Sequence, residues 1–203
     1  AIRRIISLRS NLYVKRKLFD AAFWIALASL FYFWSVLFFL LVFAALIFYS
    51  ISQINNWIIP FTGILTVALV VICYYIITEN SFGDIFNYVD GLSFDFSNYN
   101  KLSLIISITI LLSLGIWAMF FYVKKLQDKS RAYRPSFIMV MITLIIGAAI
   151  VVVAPNKNGS EFIFIFAPLS IITTNYIEAI KGSWFAEVFV WLLVLTPIAQ
   201  LVF

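Results

Sequence analysis

Three aspartates are the side chains of this sequence best suited to chemistry: Asp84, Asp90 and Asp95. They lie in one polar stretch between two long apolar runs, with the sequence ENSFGDIFNYVDGLSFDFSNYNK. Carboxylates grouped in this way hold a hard cation or act as a base towards a sugar or phosphate group. Their spacing matches no calcium-binding loop. The ordinary interpretation therefore stays open: a solvated, aromatic-rich loop packed on a membrane surface, or a docking surface.

Few other side chains in the sequence are reactive. The chain contains no histidine, and its single cysteine, Cys73, lies inside an apolar run. These facts remove the usual ligands of zinc, copper, haem and iron-sulfur centres, and they exclude an internal disulfide. We expect Cys73 to be a small apolar packing residue. The sequence therefore predicts no cofactor, no metal site and no recognisable catalytic residue.

The composition indicates where the chain must reside. Hydrophobic residues make up 64% of the 203 positions and charged residues only 11%, against about 45–50% and about 25% in soluble domains. We predict an all-α, polytopic transmembrane bundle that forms a single domain over residues 1–203. The net charge of +5 comes mainly from short basic loops beside apolar runs, which favours membrane orientation over nucleic-acid binding.

The charged loops predict an orientation. Arg3–Lys17 and Lys124–Arg134 are basic, whereas Glu79–Lys101 is mainly acidic. Basic loops stay on the cytoplasmic side of a membrane. We therefore place both basic loops in the cytoplasm and the acidic loop in the periplasm.

The apolar block Leu18–Ser50 decides how the chain crosses. About 20 residues span a bilayer, so this block is too long for one straight helix and too short for two full ones. The chain must cross an odd number of times between the first basic loop and the acidic loop. We therefore predict two short helices, about residues 20–30 and 35–49, that fold back on each other around residues 29–35. One long tilted helix over residues 20–49 is the alternative interpretation.

The remaining spans are simpler to place. Apolar runs cover residues 57–78, 102–123, 136–154, 162–177 and 188–203, which gives about seven hydrophobic segments in total. Pro168 lies in the middle of one run, so a kink or a break is expected there. Residues 155–161 are predicted to form a tight polar turn. The centres of the spans offer only Ser and Thr as polar groups, which argues against an ion pathway.

Several stretches resemble a known group of proteins. The runs KRKLFDAAFWIALASLFYFWSVLFFLLVFAALIFY, NNWIIPFTGIL, YYIITENSFGD and FAPLSIITTNYIEAIKGSWFAEVFVWLLVLTPI resemble an uncharacterised family of multi-pass inner-membrane proteins of flavobacterial-type Bacteroidota. The resemblance implies a bacterial inner-membrane location and a chain that is the C-terminal part of a longer membrane protein. The middle region more distantly resembles the GT-C fold of polyprenyl-phosphate-sugar glycosyltransferases. In those enzymes the catalytic acid lies in an earlier outer loop, so the resemblance assigns no catalytic residue here.

Three functional hypotheses follow. The first is a non-catalytic subunit of a larger envelope complex, concerned with protein export or surface biogenesis, whose partners are membrane lipids and other membrane proteins and not nucleic acid. The second is a GT-C-type sugar transferase with Asp84, Asp90 or Asp95 near its site. The third is a small-molecule or lipid transporter.

Overall fold

The computed structural model describes residues 1–51, 53–78, 91–128, 130–155, 157–179 and 183–202. Over these residues the chain is helical and contains no strand, which confirms the predicted all-α bundle. The α-helices are α1 (Ile2–Ile6), α2 (Val14–Phe31), α3 (Phe39–Phe48), α4 (Ile54–Ile77), α5 (Leu102–Asp128), α6 (Arg134–Val153), α7 (Ile163–Ala179) and α8 (Ser183–Val202). Short 3-10 segments are Ser7–Ser10, Phe33–Phe38, Ser97–Tyr99 and Ser160–Phe162.

The long apolar block doubles back, as the odd number of crossings predicts. Helix α2 ends at Phe31, Tyr32 is extended, and the chain returns through a 3-10 segment into α3. At the end of α3 the Tyr49 hydroxyl lies 3.0 Å from Ser136 Oγ and 3.4 Å from the Ile6 carbonyl oxygen. Helix α3 therefore ends beside the residues that precede α2, and the alternative of one long helix is wrong.

The break between α2 and α3 is hydrogen-bonded and packs against α7. Tyr32 N–H donates to the Ala28 carbonyl and Ser35 N–H to the Tyr32 carbonyl, both at 3.0 Å. The rings of Tyr32 and Phe38 pack on Phe164 of α7, with centroids 5.1 and 5.9 Å apart. Irregular backbone is tolerated at membrane depth only where protein or a wet cavity surrounds it. Ser35 is buried and Tyr32 packs on α7, whereas Phe31 at the end of α2 is 87% exposed.

Helix α4 packs directly against α2. A Cβ atom at Gly63 would lie 2.9 Å from Ala22 Cβ and 3.0 Å from the Phe23 backbone nitrogen. The two helix backbones therefore approach at a position that only glycine fits, as small residues allow in membrane helices. Further along α4, Cys73 is exposed, so it does not pack inside this bundle.

The two basic segments meet at one end of the bundle. The Arg9 guanidinium carbon lies 4.0 Å from the centre of the Tyr133 ring, just before α6. We call this the basic end. Helix α6 begins there and ends at Val153, about 30 Å away at 1.5 Å per residue. The turn after α6 and the segment before α5 lie at the opposite end, joined by Tyr99 and Glu161.

Four helical stretches within the described residues are long and apolar enough to cross a membrane: Ile54–Ile77, Leu102–Gln127, Arg134–Val153 and Ser160–Ala179. The membrane class predicted from composition is thereby confirmed. Helix α7 is continuous through Pro168, so the chain is not broken there. Helix α8 begins at Ser183, five residues before the predicted start of the last span at position 188.

Candidate functional site

The predicted acidic site is described only in part. Asp84 and Asp90 lie outside the described residues. Asp95 is exposed, and its Oδ1 accepts a hydrogen bond from Ser97 N–H at 2.9 Å. This bond lowers the pKa of the Asp95 carboxyl below its ordinary value of 3.8, with a smaller contribution from Lys157. A site formed by the three aspartates together stays a prediction.

A buried lysine at the end of α6 is the first unexpected feature. Lys157 is fully buried, although it lies in the turn that the sequence suggested would be polar. Its Nζ donates to the carbonyl oxygens of Val152 at 2.7 Å, Ala154 at 3.0 Å and Val151 at 3.3 Å. The last carbonyls of a helix have no partner within the helix. Lys157 therefore caps the C-terminus of α6 from inside the protein.

A buried glutamate closes the same turn. Glu161 is fully buried, and its carboxylate accepts hydrogen bonds from Asn158 N–H at 3.0 Å and Gly159 N–H at 2.8 Å. Gly159 has a φ of +97°, a conformation that glycine adopts without penalty. The turn is thus organised around two opposite charges, each satisfied by its own set of partners.

The segment before α5 completes this arrangement. The Tyr99 hydroxyl donates to Glu161 Oε2 at 3.3 Å, and the Phe96 ring centre lies 4.4 Å from Lys157 Nζ. Burial, and then the Glu161 charge, raise the pKa of Tyr99 well above its ordinary value. We call Phe96, Tyr99, Lys157 and Glu161 the clasp. It fixes the end of the acidic loop to the α6–α7 turn.

The chemistry open to the clasp is limited. Both of its charged groups are fully buried and already hold several hydrogen bonds, so neither is free to contact a ligand. Among the described residues, no group of side chains is suited to hold a metal ion. Sequence analysis missed the clasp because Lys157 and Glu161 look like ordinary solvated residues of a short turn. The available signal was their position directly after an apolar helix.

A cavity of about 470 Å³ lies between α2, the Phe33–Phe38 segment and α7. Its walls are mainly apolar and include Trp24, Ala28, Ser35 and Phe164, together with residues 1–3. Ser35 is buried, and its Oγ has no hydrogen-bond partner among the described residues. A volume of this size is within the range of small-molecule sites, about 300–1,000 Å³. The cavity could hold an apolar ligand that carries one polar group.

This fold, with its buried structural charges and long apolar helices, defines a polytopic α-helical membrane protein. The chain belongs to a family of unknown function (DUF6427), whose model matches residues 3–202. The expected membership of an uncharacterised family is therefore confirmed. No curated protein and no solved structure matches the chain.

Proposed function

We propose that the protein is a non-catalytic subunit of a larger assembly in the bacterial inner membrane, concerned with protein export or surface biogenesis in Bacteroidota. The observation that carries this proposal is the low burial of two flanking helices. In the most apolar 18-residue stretch of each helix, only 17% of the residues of α4 and 11% of those of α5 are buried, against 39% in α6 and in α7. Most residues of these two helices face away from the bundle, and such apolar outer faces are suited to packing against other membrane helices.

The exposed faces of these helices carry small hydroxyl residues as well as large apolar ones. Thr62 on α4 and Thr109 on α5 are exposed, and each donates its hydroxyl to a backbone carbonyl of its own helix at 2.7 Å. Small residues of this kind let neighbouring helices approach closely in membranes. These faces therefore fit partner helices as well as lipid.

The proposal includes an orientation. With Arg3–Lys17 and Lys124–Arg134 in the cytoplasm, both basic loops obey the positive-inside rule. The contact between Arg9 and Tyr133 supports this arrangement, because it brings the two loops to one end of the bundle. Glu79–Lys101 would then face the periplasm.

The test is purification of the intact protein from its own membranes in a mild detergent. We expect membrane proteins to co-purify in fixed stoichiometry. The variant Thr62→Trp should lose them, because a large ring on α4 blocks close helix packing. A matched control is Ile145→Trp on α6, since Ile145 is also exposed but its helix is central. A protein that purifies alone with lipid, with Thr62→Trp behaving as wild type, would contradict the proposal.

A lipid-handling role is the second candidate, and the cavity beside Ser35 is the observation that favours it. It covers a GT-C-type transferase of polyprenyl-phosphate-linked sugars and a transporter of lipids or small molecules. A polyprenyl lipid that co-purifies in stoichiometric amount would favour the transferase. The triple change of Asp84, Asp90 and Asp95 to Asn should then abolish function without preventing assembly. A subunit that acts only through packing should tolerate the triple change.

A further inference from the structure

The turn between α1 and α2 presents an unusual surface at the basic end. Leu12 and Tyr13 are 63% and 79% exposed, whereas Leu8 and Leu18, on either side of the turn in the chain, are buried. Arg9, Lys15 and Arg16 are also exposed and lie on either side of them in the chain. We call residues 9–16 the basic tip. It combines two outward apolar side chains with three cations.

The basic tip is held in shape from within. Lys17 Nζ donates to the Ser7 carbonyl at 2.6 Å and to Ser10 Oγ at 2.7 Å, which ties the first turn of α2 to the preceding segment. Asn11 N–H donates to the Leu8 carbonyl at 2.9 Å. The tip is therefore a fixed element of the fold, and the exposure of Leu12 and Tyr13 is a property of that element.

The backbone of the basic tip has an unusual conformation at two residues. Asn11 and Tyr13 have φ values of 51° and 52°. Asparagine tolerates this left-handed conformation, whereas it is unfavourable for a bulky residue such as tyrosine. This conformation does not serve to bury Tyr13, which is exposed.

Lys15 and Arg16, in the first turn of α2, do not stabilise that helix. No acidic side chain lies in the first turn of α2, where the helix dipole favours acids over bases. Asp20, one turn further on, is already paired with Arg4 at 3.1 Å. Lys15 and Arg16 are therefore available to an external anion.

We propose that the basic tip docks on the anionic headgroup layer of the bilayer. The tip lies at the basic end, where Arg9 contacts Tyr133 directly before α6 begins. Because α6 is long and apolar enough to cross a membrane, the tip lies beside the end of a candidate span. Tyrosine and cationic side chains are the residues that anchor proteins at this level, and cations there attract anionic lipids. Leu12 and Tyr13 insert among the headgroups, while Arg9, Lys15 and Arg16 contact phosphates. This inference does not depend on the proposed subunit role.

The first test measures the environment of the tip in the full chain. The variant Cys73→Ser with Leu12→Cys carries an environment-sensitive fluorophore at position 12, in nanodiscs of phosphatidylcholine with or without phosphatidylglycerol. We expect a blue-shifted emission and quenching by spin-labelled lipid, both stronger in the anionic discs. The control is Asn98→Cys at the opposite end, whose label should stay in water in both discs. A label at position 12 that stays in water in both discs would overturn the proposal.

The second test leaves Leu12 and Tyr13 intact. In native mass spectrometry the wild type should retain phosphatidylglycerol in preference to phosphatidylcholine. The double variant Lys15→Gln/Arg16→Gln should reduce this preference by about fivefold for each cation removed. An unchanged preference would refute the proposal. The proposal would also be refuted if a co-purifying protein covers the tip in detergent that contains no lipid.

Discussion

The strongest test of the clasp is the variant Lys157→Met, which keeps an unbranched apolar side chain as far as the ε position and removes the ammonium group. Three carbonyl oxygens at the end of α6 would lose their donor. Two of them belong to the buried residues Val151 and Ala154, and an unsatisfied buried acceptor costs about 1–3 kcal/mol. Part of this loss is offset because the ammonium no longer has to be desolvated. We expect a net loss of about 2–4 kcal/mol in the free energy of unfolding.

The assay is thermal unfolding in detergent, followed by loss of the monodisperse peak in size-exclusion chromatography. For a chain of this size, each kcal/mol corresponds to about 2–4 °C in Tm. The matched control is Lys101→Met, because Lys101 is exposed at the same end of the bundle and surface changes stay within about 0.5 kcal/mol. Equal melting temperatures for the two variants would show that the buried ammonium contributes nothing, and the reasoning about the clasp would be refuted.

Three further predictions concern other contacts. Gly147→Ala should lower the free energy of unfolding by about 1–3 kcal/mol, because the new Cβ would lie 2.7 Å from the Phe164 carbonyl oxygen. The control Gly115→Ala should be near neutral in the same melting assay, because its Cβ meets only the movable end of the Leu169 side chain. Burial, and then the Glu161 charge, raise the pKa of Tyr99, so the fold favours the neutral phenol: this stability is present below the ordinary pKa of 10.0 and is lost as the pH rises above that value. Tyr99→Phe should therefore flatten the alkaline part of a stability profile, and an unchanged profile would contradict this assignment. Tyr49→Phe should lower the free energy of unfolding by about 0.5–1.5 kcal/mol, because the hydrogen bond to Ser136 of α6 is lost. Urea titration in detergent measures this change. An unchanged free energy would mean that this bond does not hold α3 in place.

The doubled-back helix pair could be predicted from the sequence because it follows from the number of membrane crossings. The lengths of the apolar runs and the signs of the loops leave few arrangements that agree with each other. The boundaries were harder to predict. Helix α2 begins at Val14, so the basic residues that seemed to precede it lie in its first turn, where Lys17 bonds the Ser7 carbonyl of the preceding segment.

The clasp could not be predicted in the same way. Lys157 and Glu161 are four positions apart in a turn of small and polar residues, which is the usual composition of a solvated loop. Their burial depends on Phe96 and Tyr99, which are about 60 residues away in the chain. Long-range contacts of this kind leave no periodic signal in the local sequence. The sequence of the acidic loop therefore gives no sign of its attachment to the α6–α7 turn.

The unbroken helix α7 also has a physical explanation that links two distant residues. Pro168 has no N–H, so the carbonyl oxygen of Phe164, four positions earlier, loses its normal partner within the helix. That oxygen lies against Gly147 of α6, so close that a Cβ atom there would be 2.7 Å away. The absence of a side chain at Gly147 lets α6 shield the carbonyl that Pro168 leaves free. Tyr32 and Phe38 pack on the ring of the same Phe164. One residue of α7 therefore takes part both in the contact that lets α7 continue past Pro168 and in the packing of the break between α2 and α3.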